Sequence, residues 1–418
     1  MSSSSQRQAQ PAWKILLGLL SLIMAGLIWF SGLVSSLSRP SVAPSLNLQQ
    51  QEITVLAEPA VPPSLVPLLL GNGDPRMALR QSLEGTSSDQ RSPRQTQLLE
   101  LLSGRSVAVP ADADALLKLL DCEAQGGSQA ECSDPAVARI ALVRLALSAL
   151  LPLLTALAGT LLLVIQGWRR WRGRAETWPE LRGPMLTLLD MALLVAGGFV
   201  VVSAVAVPLV VLPLVGTLTA SLASPRREAV GVVINYGLMA LPSLLILRRQ
   251  LASCPDQERP SEGWLQWRIK PLASAVMAAL SGWLRITPVV MLTGWVLVKV
   301  VGDPGGSNPL LELVLGSRDP LALALLAFTA VVLAPLFEEI IFRGALLPVL
   351  ARRFGPLAGV LWSGLLFGMA HISIGELAPL TVLGVGLGLV RMSTGRLLPS
   401  VLMHGTWNAI TFLNLLLP

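Results

Sequence analysis

Three short groups of residues late in the chain carry side chains that could do chemistry together. Phe337-Glu338-Glu339-Ile340-Ile341-Phe342-Arg343-Gly344 follows directly on a long apolar run. Phe367-Gly368-Met369-Ala370-His371 lies deep in the next run, and His404-Gly405-Thr406-Trp407-Asn408 stands near the start of the last. The chain has only two histidines, and both fall in these groups. Ionisable side chains inside hydrocarbon are expensive to keep, so each is a candidate functional residue. Three such groups on three successive apolar segments point to one shared polar site.

Helical spacing assigns the faces. Glu339 and Arg343 are four apart and face each other, so an ion pair there neutralises one carboxylate. Glu338 is turned away by ~100° at 3.6 residues per turn and stays free for chemistry. Phe367 and His371 share a face, as do His404 and Asn408, which together present two donors as an oxyanion hole does. Blander readings stand beside these. The charges of Glu-Glu-x-x-x-Arg could stack at a helix end near the interface, and a lone histidine is usually satisfied by a carbonyl. Trp407 is expected to face lipid or to pack. Two histidines and a carboxylate can also hold zinc, with Glu338, His371 and His404 as the ligands, although no His-Glu-x-x-His is present.

The elements that must position these groups are read from composition. The chain is 53% hydrophobic and 13% charged, and several runs reach the ~20 apolar residues of a membrane-spanning helix. The fold class is therefore all-α, a polytopic integral membrane helical bundle. About nine spans are expected, at residues 14–37, 136–166, 185–222, 230–247, 271–301, 321–350, 356–372, 377–390 and 397–417. Pro208 and Pro213 should kink or end the third. The first exceeds a signal-peptide core and reads as an uncleaved anchor behind a polar Ser/Gln-rich head. Counted in residues from the basic ends of their spans, Glu338 lies ~18 Å deep, His371 ~22 Å and His404 ~11 Å. These depths suit a water-filled cavity opening towards the cytoplasm.

A net charge of +6 invites a nucleic-acid partner, but its distribution argues against one. The basic residues sit in short loops, at Arg169-Arg170-Trp171-Arg172, Arg248-Arg249, Arg268-Ile269-Lys270, Arg352-Arg353 and Arg396, as cytoplasmic loops require. Trp168, Trp171 and Trp178 beside the first cluster read as an interfacial belt. The alternation puts residues 39–138 outside. Thiol labelling of single-cysteine variants should find Ser87→Cys and Arg172→Cys on opposite faces of the membrane, and labelling from one face alone would reverse this topology. Cys122 and Cys132 lie in the outer stretch and could pair in an oxidising compartment, which spacing does not decide.

The chain divides as an anchor helix at 1–38 and an extracytoplasmic polar loop or small helical insert at 39–138. Membrane helices of unassigned role follow at 139–270, and a site-bearing domain at 271–418. Glu-Glu-x-x-x-Arg, then Phe-x-x-x-His, then His-x-x-x-Asn on successive spans resembles the CPBP family of intramembrane proteases, the type II CAAX prenyl endopeptidases and their bacteriocin-processing relatives. The resemblance covers about Pro271 to Leu417 and leaves the first 180 residues unexplained. It implies that Glu338 activates water with help from His371, that His404 and Asn408 stabilise the oxyanion, and that Glu339 and Arg343 hold the site together. The expected activity is an intramembrane endopeptidase acting on a membrane-associated protein or peptide substrate, with the lipid bilayer as its medium and no nucleic-acid partner. The expected place is a bacterial inner membrane. No cofactor is expected, zinc being the alternative. A transporter or scaffold relaying protons through the same residues is the reading from a different class.

Overall fold

A computed structural model of the protein describes residues 10–39, 41–71, 73–88, 91–174, 177–302, 305–306 and 309–417. Of the expected polar head, residues 1–9 lie outside the described residues. The chain forms two compact units, one of Met1–Pro40 with Ala156–Phe412 and one of Ser41–Thr155 with Leu413–Pro418. Among the described residues there are helices, turns and loops but no strand.

Among the described residues, nine helices stand where the nine spans are expected: α1 (Ala12–Ser36), α2 (Pro135–Trp171), α3 (Leu188–Leu218), α4 (Arg226–Ala252), α5 (Leu272–Val301), α6 (Pro320–Phe354), α7 (Pro356–Ala370), α8 (Ile374–Thr394) and α9 (Leu397–Leu416). Seven of them are long and apolar enough to cross a membrane. α7 and α9 fall outside this set of seven. α7 has 15 residues, or ~22 Å at 1.5 Å per residue, short of a ~30 Å hydrocarbon core. α9 has 20 residues, but His404, Asn408 and Asn414 dilute its apolar run. In α9 the site residues themselves break the pattern of a plain span, whereas in α7 it is the length.

Of the two outcomes expected at Pro208 and Pro213, kinking or ending the helix, α3 does not end, and at Pro208 the helix is wound as a wider π-helical turn, Val207–Val211. Such turns re-accommodate backbone groups that a proline leaves unpaired inside a membrane helix. Within the expected 302–320 loop a short helix, Pro309–Gly316, forms, and residues 303–304 and 307–308 lie outside the described residues.

Local chemistry places the ends of the helices that carry the site. Asp319 caps α6 by accepting from the backbone N–H groups of Leu321 and Ala322, with Pro320 at the first helical position. Ser373 caps α8, accepting from Glu376 N. α8 ends at Gly395, whose φ of 63° is the left-handed conformation that suits glycine at a helix C-terminus. α7 and α8 touch backbone to backbone: a Cβ on Gly384 would lie 2.9 Å from the Gly364 carbonyl oxygen. Small residues are what permit this approach in a membrane bundle.

The loop before α5 seals one end of this bundle. Trp264 and Gln266 are buried in it. Gln266 Oε1 accepts from Arg391 Nη2 at 2.7 Å, and its carbonyl accepts from Leu397 N at 3.2 Å. Arg396 Nη2 donates to the carbonyls of Arg268 at 2.8 Å and Ile269 at 2.9 Å. On this side every residue of α6 from Ile341 to Leu350 is buried. This end of α6 is tightly packed, with loop carbonyls and Gln266 taking up Arg391 and Arg396. Partial exposure returns on the other side, at Glu338, His371 and Leu377 to Val382.

The second unit has its own core. Helices Ala43–Ala57, Pro75–Gly85, Pro93–Leu102 and Ala115–Ala124 close over Val55, Leu79, Leu83 and Leu98. Arg94 joins Glu52 at 2.8 Å and Asp114 at 2.6 Å, while Arg76 joins Glu123 and Glu58. Cys122 and Cys132 form a disulfide, the chemistry of an oxidising compartment.

Candidate active site

α6 brings two carboxylates and a guanidinium together by winding irregularly. Thr329–Leu333 and Ile340–Leu346 are π-helical, and Ala334–Glu339 between them is a single α-helical stretch holding Pro335. π-turns inside α-helices occur frequently at functional sites, because each one re-aims the side chains beyond it.

Glu339 and Arg343 form the expected ion pair, Nη1 to Oε1 at 2.8 Å, with both side chains fully buried. The same Oε1 accepts from His404 Nδ1 at 3.0 Å. Arg343 Nη2 donates to the Gly384 carbonyl at 2.9 Å, an oxygen within reach because α7 and α8 lie so close. The guanidinium also stacks over the Phe367 ring at 4.4 Å, a contact worth more when desolvated. Phe367 is thus a platform: His404 lies against it at 5.5 Å between ring centroids and His371 at 4.9 Å.

Glu338 has a different environment. Its side chain retains 13% exposure where those of Glu339 and Arg343 have none, so it is the more accessible of the two carboxylates. Oε2 is buried without a protein hydrogen-bond partner and faces His404 Nε2 at 3.9 Å. That separation is beyond a hydrogen bond. Oε1 is engaged: it accepts from the Tyr236 hydroxyl at 2.6 Å. Sequence reasoning missed Tyr236. The available signal was that it is the chain's single tyrosine, beside Asn235 in an apolar span.

His371 and Asn408 are held by backbone. His371 Nδ1 donates to the Phe367 carbonyl at 2.9 Å, which fixes the tautomer and leaves Nε2 as the ring's other nitrogen. The contacts of this ring are with Phe367, whereas the resemblance implied direct help to Glu338. His371 caps α7, and the turn behind it is strained: Ile372 has φ 51°, unusual for a β-branched residue. Arg39 donates to the Ile372 carbonyl. Ile374 N donates to Ser36 Oγ at 3.1 Å, and Ser373 Oγ donates to the Gly306 carbonyl at 2.6 Å. Asn408 Nδ2 donates to the Ala330 carbonyl, in the first π-turn of α6, at 2.7 Å. One of its two N–H groups remains for other work. Trp407 packs partly buried against the core.

His404 lies between the two carboxylates, with Nε2 3.9 Å from Glu338 Oε2 and Nδ1 3.0 Å from Glu339 Oε1. Among the described residues, no three His, Cys, Asp or Glu side chains converge as a metal site would need.

Residues 320–410 match the family model described as type II CAAX prenyl endopeptidase Rce1-like. Residues 43–109 match a family described as a domain of unknown function, DUF8675. No curated protein and no solved structure matches the chain.

Proposed function

We propose, from the membership of residues 320–410 in the CPBP family of CAAX-type proteases, that this integral membrane protein is an intramembrane endopeptidase that hydrolyses membrane-associated substrates with a carboxylate-activated water. The observation that carries the reading is Glu338 Oε2, a buried oxygen with no protein partner that faces His404 Nε2 across 3.9 Å. A general base needs a free lone pair within reach of the water it deprotonates. Glu339 also has an unpartnered Oε2, but its side chain is fully enclosed and its Oε1 is held by Arg343 and His404, whereas the Glu338 side chain keeps 13% exposure.

In this mechanism Glu338 Oε2 takes a proton from water as the water oxygen attacks the scissile carbonyl carbon. The oxyanion accepts hydrogen bonds from protonated His404 Nε2 and from the second N–H of Asn408. The proton on Glu338 then passes to the amide nitrogen, the C–N bond breaks, and a carboxylic acid and an amine leave, the acid giving up its remaining proton to water. His371 Nε2 serves as the second acceptor on the substrate side of Phe367. Donors aimed at developing charge typically contribute most in a water-poor site.

His404 commits Nδ1 to Glu339 and His371 commits Nδ1 to a carbonyl, so each ring keeps Nε2 for substrate, water or a metal, and the choice between a metal-free and a zinc reaction falls to experiment. The test is cleavage of a membrane-anchored peptide by the purified full chain, with and without phenanthroline. Cleavage that survives the chelator is expected, and His404→Ala and Asn408→Ala should each slow it by about 10²–10³-fold. Thermal unfolding of the Asn408→Ala variant separates catalysis from loss of the bond to Ala330. One zinc per chain, lost together with activity in His371→Ala, would replace this mechanism by a metalloprotease one. A folded wild-type protein that cleaves no membrane-anchored peptide would point to the transporter or scaffold reading.

A further inference from the structure

Tyr236 lies on α4, outside both matched stretches of the chain. Its hydroxyl donates to Glu338 Oε1 at 2.6 Å, the short distance of a charge-assisted O–H···O⁻ bond. The ring is itself fixed. It meets Phe337 edge-on, with centroids 6.2 Å apart and an interplanar angle of 85°, and Phe337 packs on Phe199 at 5.6 Å. Phe337 directly precedes Glu338, so one aromatic cluster holds both partners of the bond.

A carboxylate side chain can rotate about its last bond and exchange its two oxygens. With Oε1 bound, Glu338 cannot do so without breaking the strongest contact it makes. We propose that Tyr236 is a positioning residue for the hydrolysis: it pins Glu338 Oε1 so that Oε2 alone faces the water held between Glu338 and His404. The inference rests on the reading of Glu338 as the base. It assigns a role to α4, which the three motifs do not touch, and makes the reaction depend on a helix 68 residues or more before the matched domain's start at residue 320.

A buried tyrosine also needs some acceptor, and a carboxylate could serve as no more than that. The two roles separate experimentally. Tyr236→Phe keeps the ring and removes only the hydroxyl. Positioning predicts that kcat falls by about 10–10²-fold, the effect of one lost hydrogen bond to a charged group, while KM changes less than twofold and thermal unfolding in detergent is little altered. A purely structural tyrosine would lower the unfolding temperature and leave kcat per folded molecule unchanged.

Because Tyr236 is the only tyrosine, ring-labelled tyrosine gives one infrared signal from the full chain. That signal should shift in Glu338→Gln, where a neutral amide replaces the carboxylate acceptor, and stay in place in the control Glu312→Gln. Full activity in Glu338→Gln would refute the base itself. Loss of activity in Glu338→Gln with normal kcat in Tyr236→Phe would overturn the positioning role and leave the base standing. If Tyr236→Phe fails to fold, the labelled signal decides: unmoved in Glu338→Gln, it overturns the proposal, and shifted, it supports it.

Discussion

Glu338→Gln is expected to fold normally and to lose cleavage by about 10²–10⁴-fold, the usual contribution of a positioned general base. Folding should survive because the substitution leaves no buried cation alone. Arg343 keeps Glu339, its partner at 2.8 Å. The glutamine carbonyl can still accept from the Tyr236 hydroxyl, and its amide takes the place of the oxygen that faces His404. Cleavage should fail because an amide cannot take the proton from water. The measurement is single-turnover cleavage of a membrane-anchored peptide, with unfolding temperature recorded on the same preparations. Residual activity within tenfold of wild type would remove Glu338 from the chemistry.

How much of this site could be read beforehand follows from what hydrocarbon makes conspicuous. Glu338, Glu339, Arg343, His371 and His404 stood out because a charge in an apolar run needs a reason, and helical spacing alone predicted the Glu339–Arg343 pair. Tyr236 did not stand out, because one tyrosine in an apolar span is equally at home in packing or at an interface. Phe367 hid in the same way: an aromatic residue on a membrane helix gives no sign that Arg343, His371 and His404 will share its ring. α7 ends two residues earlier than hydropathy suggests, because the chain turns at His371. Only the cap at Ser373 and the left-handed Ile372 mark that turn. The tight packing of the loop before α5 could not be inferred either, since it depends on Arg391 and Arg396 finding a loop more than 100 residues earlier. The disulfide likewise depends on three-dimensional proximity that spacing leaves open.

Arg343→Ala should be the most damaging single change to the fold, destabilising it by about 3–5 kcal/mol, the range for breaking a fully buried ion pair. Both side chains are completely enclosed, so water cannot replace the lost partner. Glu339 would keep only the imidazole of His404, the Gly384 carbonyl would lose its donor, and the face of Phe367 would lose the group stacked on it. Removing the partner carboxylate's charge at the same time should relieve part of this loss. Glu339→Gln combined with Arg343→Ala is therefore expected to unfold at a higher temperature than Arg343→Ala alone, because contacting residues do not act additively. Thermal unfolding of the two variants and the wild type in one detergent checks both expectations. A wild-type unfolding temperature for Arg343→Ala would mean that the guanidinium acts on substrate rather than on the fold. A double variant no better than Arg343→Ala would place the loss in the void left by the side chain and not in the uncompensated carboxylate.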